Sequence, residues 1–270
     1  MNCRCLRDYH NTYLQTDVLL LADVFENFRS TCSKLYGLDP ARYCTASGIG
    51  WDAALKMTGV ELELLHDPDM HLFVEKPHGG ISMISHRYAK ANNPHLPEYN
   101  SDLPNSYIMY WDANSLYSWA MAQHLPTANF RWLSSEEIEA LDITAVADDS
   151  DRGYILEVDL DYPSDLHELH NDYPLAPERI TVSPDMYSPY QQQHFPAEVS
   201  EKLSPNLQSK TNYRVHYRNL KLYLELGMQV TKIRRALAFD QSPWLKPYID
   251  FNIQERSVCT TDFEKAFSNS

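Results

Sequence analysis

Apolar side chains recur at three- and four-residue steps over residues 9–35: Leu14, Val18, Leu21, Phe25, Phe28, Cys32 and Leu35. That period predicts a long amphipathic helix, and Gly37 stands where a C-terminal cap belongs. Residues 45–58 predict a second helix, closed by Gly59. Residues 71–74 and 80–87 read as extended, split by Pro77 and the Gly79-Gly80 pair. Pro94 and Pro97 mark a linker. The apolar run 107–111 predicts a strand, and residues 115–123 a helix. Residues 153–162 alternate strictly, with Tyr154, Leu156, Val158 and Leu160 on one side, the period of a half-buried strand. Residues 163–205 are rich in Pro and Tyr and read as irregular. A helix over 215–226 stops at Gly227, a strand is expected over 228–239, and a last helix starts from Trp244, with Pro243 in its first turn. Helices and strands are mixed without regular alternation, which predicts an α+β fold.

Composition narrows the class. A chain of 270 residues, 43% hydrophobic and 12% aromatic, can bury a sizeable core. No apolar run approaches the roughly 20 residues of a membrane span. Nothing of signal-peptide type precedes Asp8, and five cysteines, an odd number, point away from a disulfide framework and towards a reducing, intracellular compartment. Cys3 and Cys5 have no second pair beside them to complete a zinc site. The net charge of −14 is unfavourable for a nucleic-acid partner. The charge is uneven, however. Residues 134–151 hold Glu136, Glu137, Glu139, Asp142, Asp148, Asp149 and Asp151 without a base. Residues 202–235 hold Lys202, Lys210, Arg214, Arg218, Lys221, Lys232, Arg234 and Arg235 against Glu225 alone. A local basic surface is therefore expected on an acidic chain.

The candidate chemistry centres on Tyr110-Trp-Asp-Ala-Asn-Ser-Leu-Tyr117. A strand delivering one acid, Asp112, with a helix start directly after it, suits a divalent cation beside a phosphate. An acid ending an apolar run is costly to bury unless it is paired or holds a cation. The residues alone leave a second reading equally open, in which Asp112 caps the helix. Likewise Tyr117 is either a functional ring or a core tyrosine, and Ser115 either a contact residue or a plain helix start.

Asp112-Ala-Asn-Ser-Leu-Tyr117 resembles motif A of the family B DNA polymerases, D-x-x-S-L-Y-P, in the flavour of the protein-primed branch of transposons, linear plasmids and viruses. Ser118 replaces the family's Pro. The resemblance implies that Asp112, with the backbone carbonyl of Ala113, holds Mg2+ for nucleotidyl transfer of dNTPs to a DNA primer. It implies that Ser115, Leu116 and Tyr117 lie at the incoming nucleotide, where Tyr117 excludes ribose. Tyr13-Leu-Gln-Thr-Asp17 is similar to the third motif of the proofreading exonuclease. The other carboxylates of that site are not in this sequence, so Asp17 is not expected to bind metal here. His78-Gly79-Gly80-Ile81 resembles the Y-x-G-G segment that contacts template DNA. An ordinary turn is the competing reading, and Pro77 and His78 depart from the family pattern.

Residues 153–160 and 170–177 look like the insertion that follows motif A in the protein-primed branch, and residues 213–227 and 241–252 resemble the same transposon-type enzymes. The bases Arg214, Arg218, Lys221, Lys232, Arg234 and Arg235 would then face DNA phosphates, and a terminal protein is the further partner implied. The organisation so implied is 1–75 exonuclease-like, 76–105 linker, 106–133 palm, 134–240 insertion and 241–270 the start of the fingers. Motif B is at best a remnant at Asn269-Ser270, and the Asp-Thr-Asp of motif C is absent. A second function therefore stays open, a catalytically inactive or domesticated DNA-binding fragment. His167-Glu-Leu-His170 lacks a third zinc ligand and reads as surface or core histidines. A metal hydrolase built on Tyr13, Asp17 and the histidines has no nucleophile–base pair to support it.

Overall fold

A computed structural model describes residues 3–75, 80–194 and 200–259. The fold is α+β, with a curled antiparallel sheet. In chain order the main elements are α1 (Leu6–Tyr36), α2 (Ala46–Thr58), α3 (Pro68–Val74), α4 (Leu116–Met121), β1 (Leu125–Trp132), α5 (Ser135–Glu139), β2 (Arg152–Asp161), α6 (His167–His170), β3 (Glu178–Val182), α7 (Pro189–His194), β4 (Ser200–Ser204), β5 (Lys210–His216), α8 (Tyr217–Glu225), β6 (Gln229–Ser242) and α9 (Lys246–Val258). Packing divides them into two units that interleave along the chain. One holds residues 3–62, 117–125 and 243–259, and the other holds the described part of 63–116 and 126–242.

The first unit is helical. The α1 start is a capping box: Asp8 Oδ2 accepts the Arg4 and Cys5 N–H groups at 3.0 and 3.2 Å. At the other end Gly37 takes φ +65°, a conformation that any Cβ would strain, and its N–H returns to the Ser33 carbonyl. Thr45 caps α2 by accepting the Gly48 N–H at 3.1 Å. Ala54, Leu245 and Ile249 are buried together against Trp244 and Tyr248. The final helix starts later than the sequence suggested. Pro247, not Pro243, sits in the first turn, because the Lys246 N–H closes a turn onto the Pro243 carbonyl first.

The second unit is built on a four-stranded sheet in the order β1-β6-β2-β5, and a two-stranded β3-β4 ladder stands apart from it. β2 is its centre, pairing antiparallel with β5 and β6. Both faces of β2 are covered. Leu156, Val158 and Leu160 pack with Val215, Tyr217, Leu220 and Ala236 on one side. Ile155 packs with Leu237, Phe239 and Phe73 on the other. Gly153 lies opposite Phe239, and a Cβ there would run into the Phe239 ring and Gln241 Oε1. Bulges in the β2–β6 ladder at Glu157/Val158 and Asp159/Leu160 bend it.

Several expectations are corrected. Residues 71–74 are helical, in α3, because Asp67 accepts the Asp69 N–H at 2.8 Å and Pro68 fits the first helical position. Residues 80–87 form no strand. Residues 163–205 are not uniformly irregular but hold α6, β3, α7 and β4. The 215–226 helix begins only at Tyr217, since Val215 is a β5 residue paired with Leu156. The predicted strand over 107–111 joins neither sheet. Among the described residues its backbone finds no ladder partner, and the run is irregular and exposed. Among the described residues no helix is long and apolar enough to cross a membrane.

Candidate functional site

Asp112 lies in an irregular segment, not at a strand end. Its carboxylate is exposed and makes no hydrogen bond or ion pair among the described residues. It is not a helix cap, because α4 begins four residues later at Leu116. Ala113 is exposed beside it. Ser115 takes φ +54°, a left-handed backbone that a capping residue, extended at its own φ and ψ, does not adopt. The run that leads to Asp112 is bare: Tyr110 is 91% and Trp111 82% exposed. Leu116 is exposed, and Tyr117, the first residue of this stretch in the helical unit, is 85% exposed and no core residue. The alternatives of a capping Asp and a buried Tyr therefore fail on geometry. The carboxylate and the ring are both left available.

Metal capacity is a separate matter. Among the described residues no group of three His, Cys, Asp or Glu side chains is placed to hold an ion. One exposed carboxylate is a fit oxygen donor for Mg2+, but it does not build a two-ion site. No step through such ions is derived from this chain.

Tyr13 and Asp17 share one face of α1, as their spacing requires, and both are exposed. Tyr13 stacks on Tyr9 with centroids 6.4 Å apart. Gly79 lies outside the described residues. Gly80 lies in an irregular segment, with open space where a side chain would be.

The bases expected to face DNA are mostly turned to internal partners. Arg234 forms a fork on Asp159, with Nε–Oδ1 2.8 Å and Nη2–Oδ2 2.7 Å. That pair, with the Asn212 N–H, holds the Asp159 carboxyl below its usual range. Lys221 Nζ donates to Asp148 Oδ1 and to the Val146 carbonyl at 2.7 and 2.8 Å, and Arg218 donates to the Asp148 carbonyl. Arg214 Nε donates to Glu157 at 2.9 Å and Nη1 to the Leu72 carbonyl at 3.1 Å. Arg235 pairs with Asp69 and lies 4.0 Å over the Trp132 ring. Lys232 is exposed, and its charge adds to the field at Asp159. Sequence alone shows the bases and hides their partners, because Asp69, Asp148, Glu157 and Asp159 lie far away along the chain.

The same holds for the acidic run. Glu137 caps α5 and forks onto Arg131 at 2.8 and 2.9 Å, which brings its carboxyl down to about 2. Asp142 accepts the Thr144 N–H at 2.9 Å. These acids are local fasteners as well as a solvated face. The histidine pair is structural. His170, buried, meets the Tyr162 hydroxyl at 2.9 Å, and His167 meets the Tyr162 carbonyl at 3.2 Å.

One constellation escapes the sequence patterns, a clamp around Phe73. That ring is 1% exposed, meets Trp132 edge-on at 4.8 Å, and has the Arg214 and Arg235 guanidiniums 5.0 and 5.1 Å from its centroid. The Asp67-Pro68 cap is its only sequence signal. Comparison with known proteins gives no match to a family model, to a curated protein or to a solved structure.

Proposed function

We propose that this chain is a section of a protein-primed family B DNA polymerase and contributes the motif A part of a site for dNTP transfer to a primer. One observation carries the reading. In Asp112-Ala-Asn-Ser-Leu-Tyr117 the carboxylate and the tyrosine ring serve neither as cap nor as core, so their conspicuous pattern has no structural duty to explain it. In the proposal Asp112 is an oxygen donor to Mg2+, and Tyr117 walls the sugar of the nucleotide. Bound Mg2+ would supply charge neutralisation at the triphosphate. Because the described residues offer one carboxylate and not a set, the isolated chain is proposed to be inactive. The internal pairing of Arg214, Arg218, Lys221, Arg234 and Arg235 disfavours the competing idea of a fragment kept only for DNA binding.

The test begins with the transcript. It is expected to read on into Lys-x-x-x-Asn-Ser-x-Tyr-Gly and then Asp-Thr-Asp. The longer product is expected to extend a primed template with Mg2+, and Asp112→Asn to lower that rate by at least about a thousandfold. A transcript with neither motif, and a product without Mg2+-dependent extension, would remove the polymerase reading. Incorporation by the 270-residue chain itself that Asp112→Asn abolishes would overturn its proposed inactivity.

A further inference from the structure

The sheet unit contains a cavity of about 500 Å³ that the polymerase reading does not use. One wall is the segment Gly80–Met83, the other is Tyr173–Pro177, and Tyr213, Asn219 and Tyr223 complete it. Its size falls within the roughly 300–1,000 Å³ of small-molecule sites.

The second wall is a loop fastened by tyrosine hydroxyls. Three tyrosines, one just past β2, one in β5 and one in α8, meet three consecutive residues. The Leu175 N–H donates to the Tyr162 hydroxyl at 3.2 Å, beyond the end of β2. The Ala176 amide lies against the Tyr223 hydroxyl of α8. The Tyr213 hydroxyl of β5 donates to the Pro177 carbonyl at 3.1 Å. Between them Ala176 is fully buried at φ +50°, a conformation that costs a non-glycine residue about 1 kcal/mol or more and persists only where the surroundings impose it. Prolines on both sides, Pro174 and Pro177, restrict the loop further. A wall fixed before any ligand arrives has little ordering entropy left to lose on binding.

The lining also specifies chemistry. None of its side chains carries a formal charge. Apolar and tyrosyl surface dominates, and the Asn219 amide offers an NH2 donor group and a carbonyl acceptor at an exposed position. Tyr173 is 72% exposed, a ring with little packing of its own. We propose that this cavity binds an uncharged planar ring with a hydrogen-bonding edge, packed on Tyr173 and Ile81 and oriented by Asn219. A phosphate or a carboxylate finds no counter-charge there and would lose its hydration without replacement. The proposal stands independently of the polymerase reading.

The test is a titration of the purified chain, monitored by amide NMR shifts and saturation transfer, with indole, p-cresol and adenosine as neutral probes and benzoate as the charged control. Saturable binding of a neutral ring with a dissociation constant at or below about 5 mM is expected, with benzoate at least about tenfold weaker. Ser82→Trp, which fills the cavity from an exposed position, is expected to abolish binding. Tyr173→Ala is expected to weaken it roughly three- to tenfold. Neither change removes a core contact, so both variants should fold. Preference between the phenol or indole and the nucleoside distinguishes an amino-acid-type ring from a base. Absence of saturation with every neutral ring overturns the proposal. So does binding that Ser82→Trp and Tyr173→Ala leave unchanged, or binding of benzoate as tight as that of the neutral rings.

Discussion

Two aromatic regions of this chain are opposites. Around Phe73 every group has an occupation. The ring is buried, Trp132 meets its edge, Arg214 and Arg235 flank it, and Asp69, Glu157 and the Leu72 carbonyl hold the arginines. From Tyr107 to Tyr117 no comparable engagement exists among the described residues. Five consecutive apolar residues lie open, and Asp112 has no partner among the described residues. The contrast separates residues that build the fold from residues free for chemistry. Strong motifs on the bare side have no packing role to explain them. On the packed side even a conspicuous arginine pair is explained by what it touches.

The largest expected effect lies in the packed region. Phe73→Ala should cost about 3–5 kcal/mol in urea denaturation, since it leaves a cavity between α3 and the sheet and strips both guanidiniums of their ring. A cost under about 1 kcal/mol would show that α3 is not integral to the sheet unit, and the comparison would fail on that side.

A smaller effect concerns pH. His216 caps α8 through Nδ1, which accepts the Arg218 N–H at 3.4 Å. Burial, assisted by Arg218 and opposed by Asp148, brings its pKa down from 6.5 to about 4. The unfolded chain therefore binds the proton first. The neutral-histidine contribution is fully present above about pH 6.5 and is lost as pH falls towards about 4. Up to about 3 kcal/mol is at stake, and less if the site admits water. His216→Asn keeps a capping acceptor and should flatten that part of the stability–pH curve. An unchanged slope would assign the acid sensitivity elsewhere.

The smallest effect belongs to the bare region. Tyr110→Ser and Trp111→Ser should each change stability by no more than about 0.5 kcal/mol. Both should reduce the aggregated fraction in light scattering, because they shrink an exposed apolar patch. A loss above about 2 kcal/mol from either would mean that the segment is packed in solution, and the contrast would collapse.

These differences also explain what sequence could reveal. The C-terminal ends of α1 and α2 were readable because period and closing glycine agreed, whereas α1 starts at Leu6, ahead of the predicted residue 9, where Asp8 fastens its first turn. The β2 strand was readable because its alternation is local. Its second buried face, through Ile155, was not, since that depends on Phe73 and Phe239 arriving from elsewhere. The Tyr107–Trp111 run has strand composition, but a strand requires a neighbour, and neighbours are not written locally. The candidate site divides in the same way. Asp112 and Tyr117 were legible as a pattern, and the structure leaves them unoccupied by other duties. The basic residues were legible as charge, and their partners were legible only in three dimensions. The cavity carried no signal at all, because its two walls, Gly80–Met83 and Tyr173–Pro177, lie far apart along the chain.

The three tyrosines behind Leu175, Ala176 and Pro177 have one more consequence. They belong to the β2 end, β5 and α8, the parts of the sheet unit that close its main core. The loop is therefore expected to resist fraying by itself. Its opening is expected to follow that of the main core it is fastened to. In sequence it looks like a connector. In its opening behaviour it belongs to the sheet.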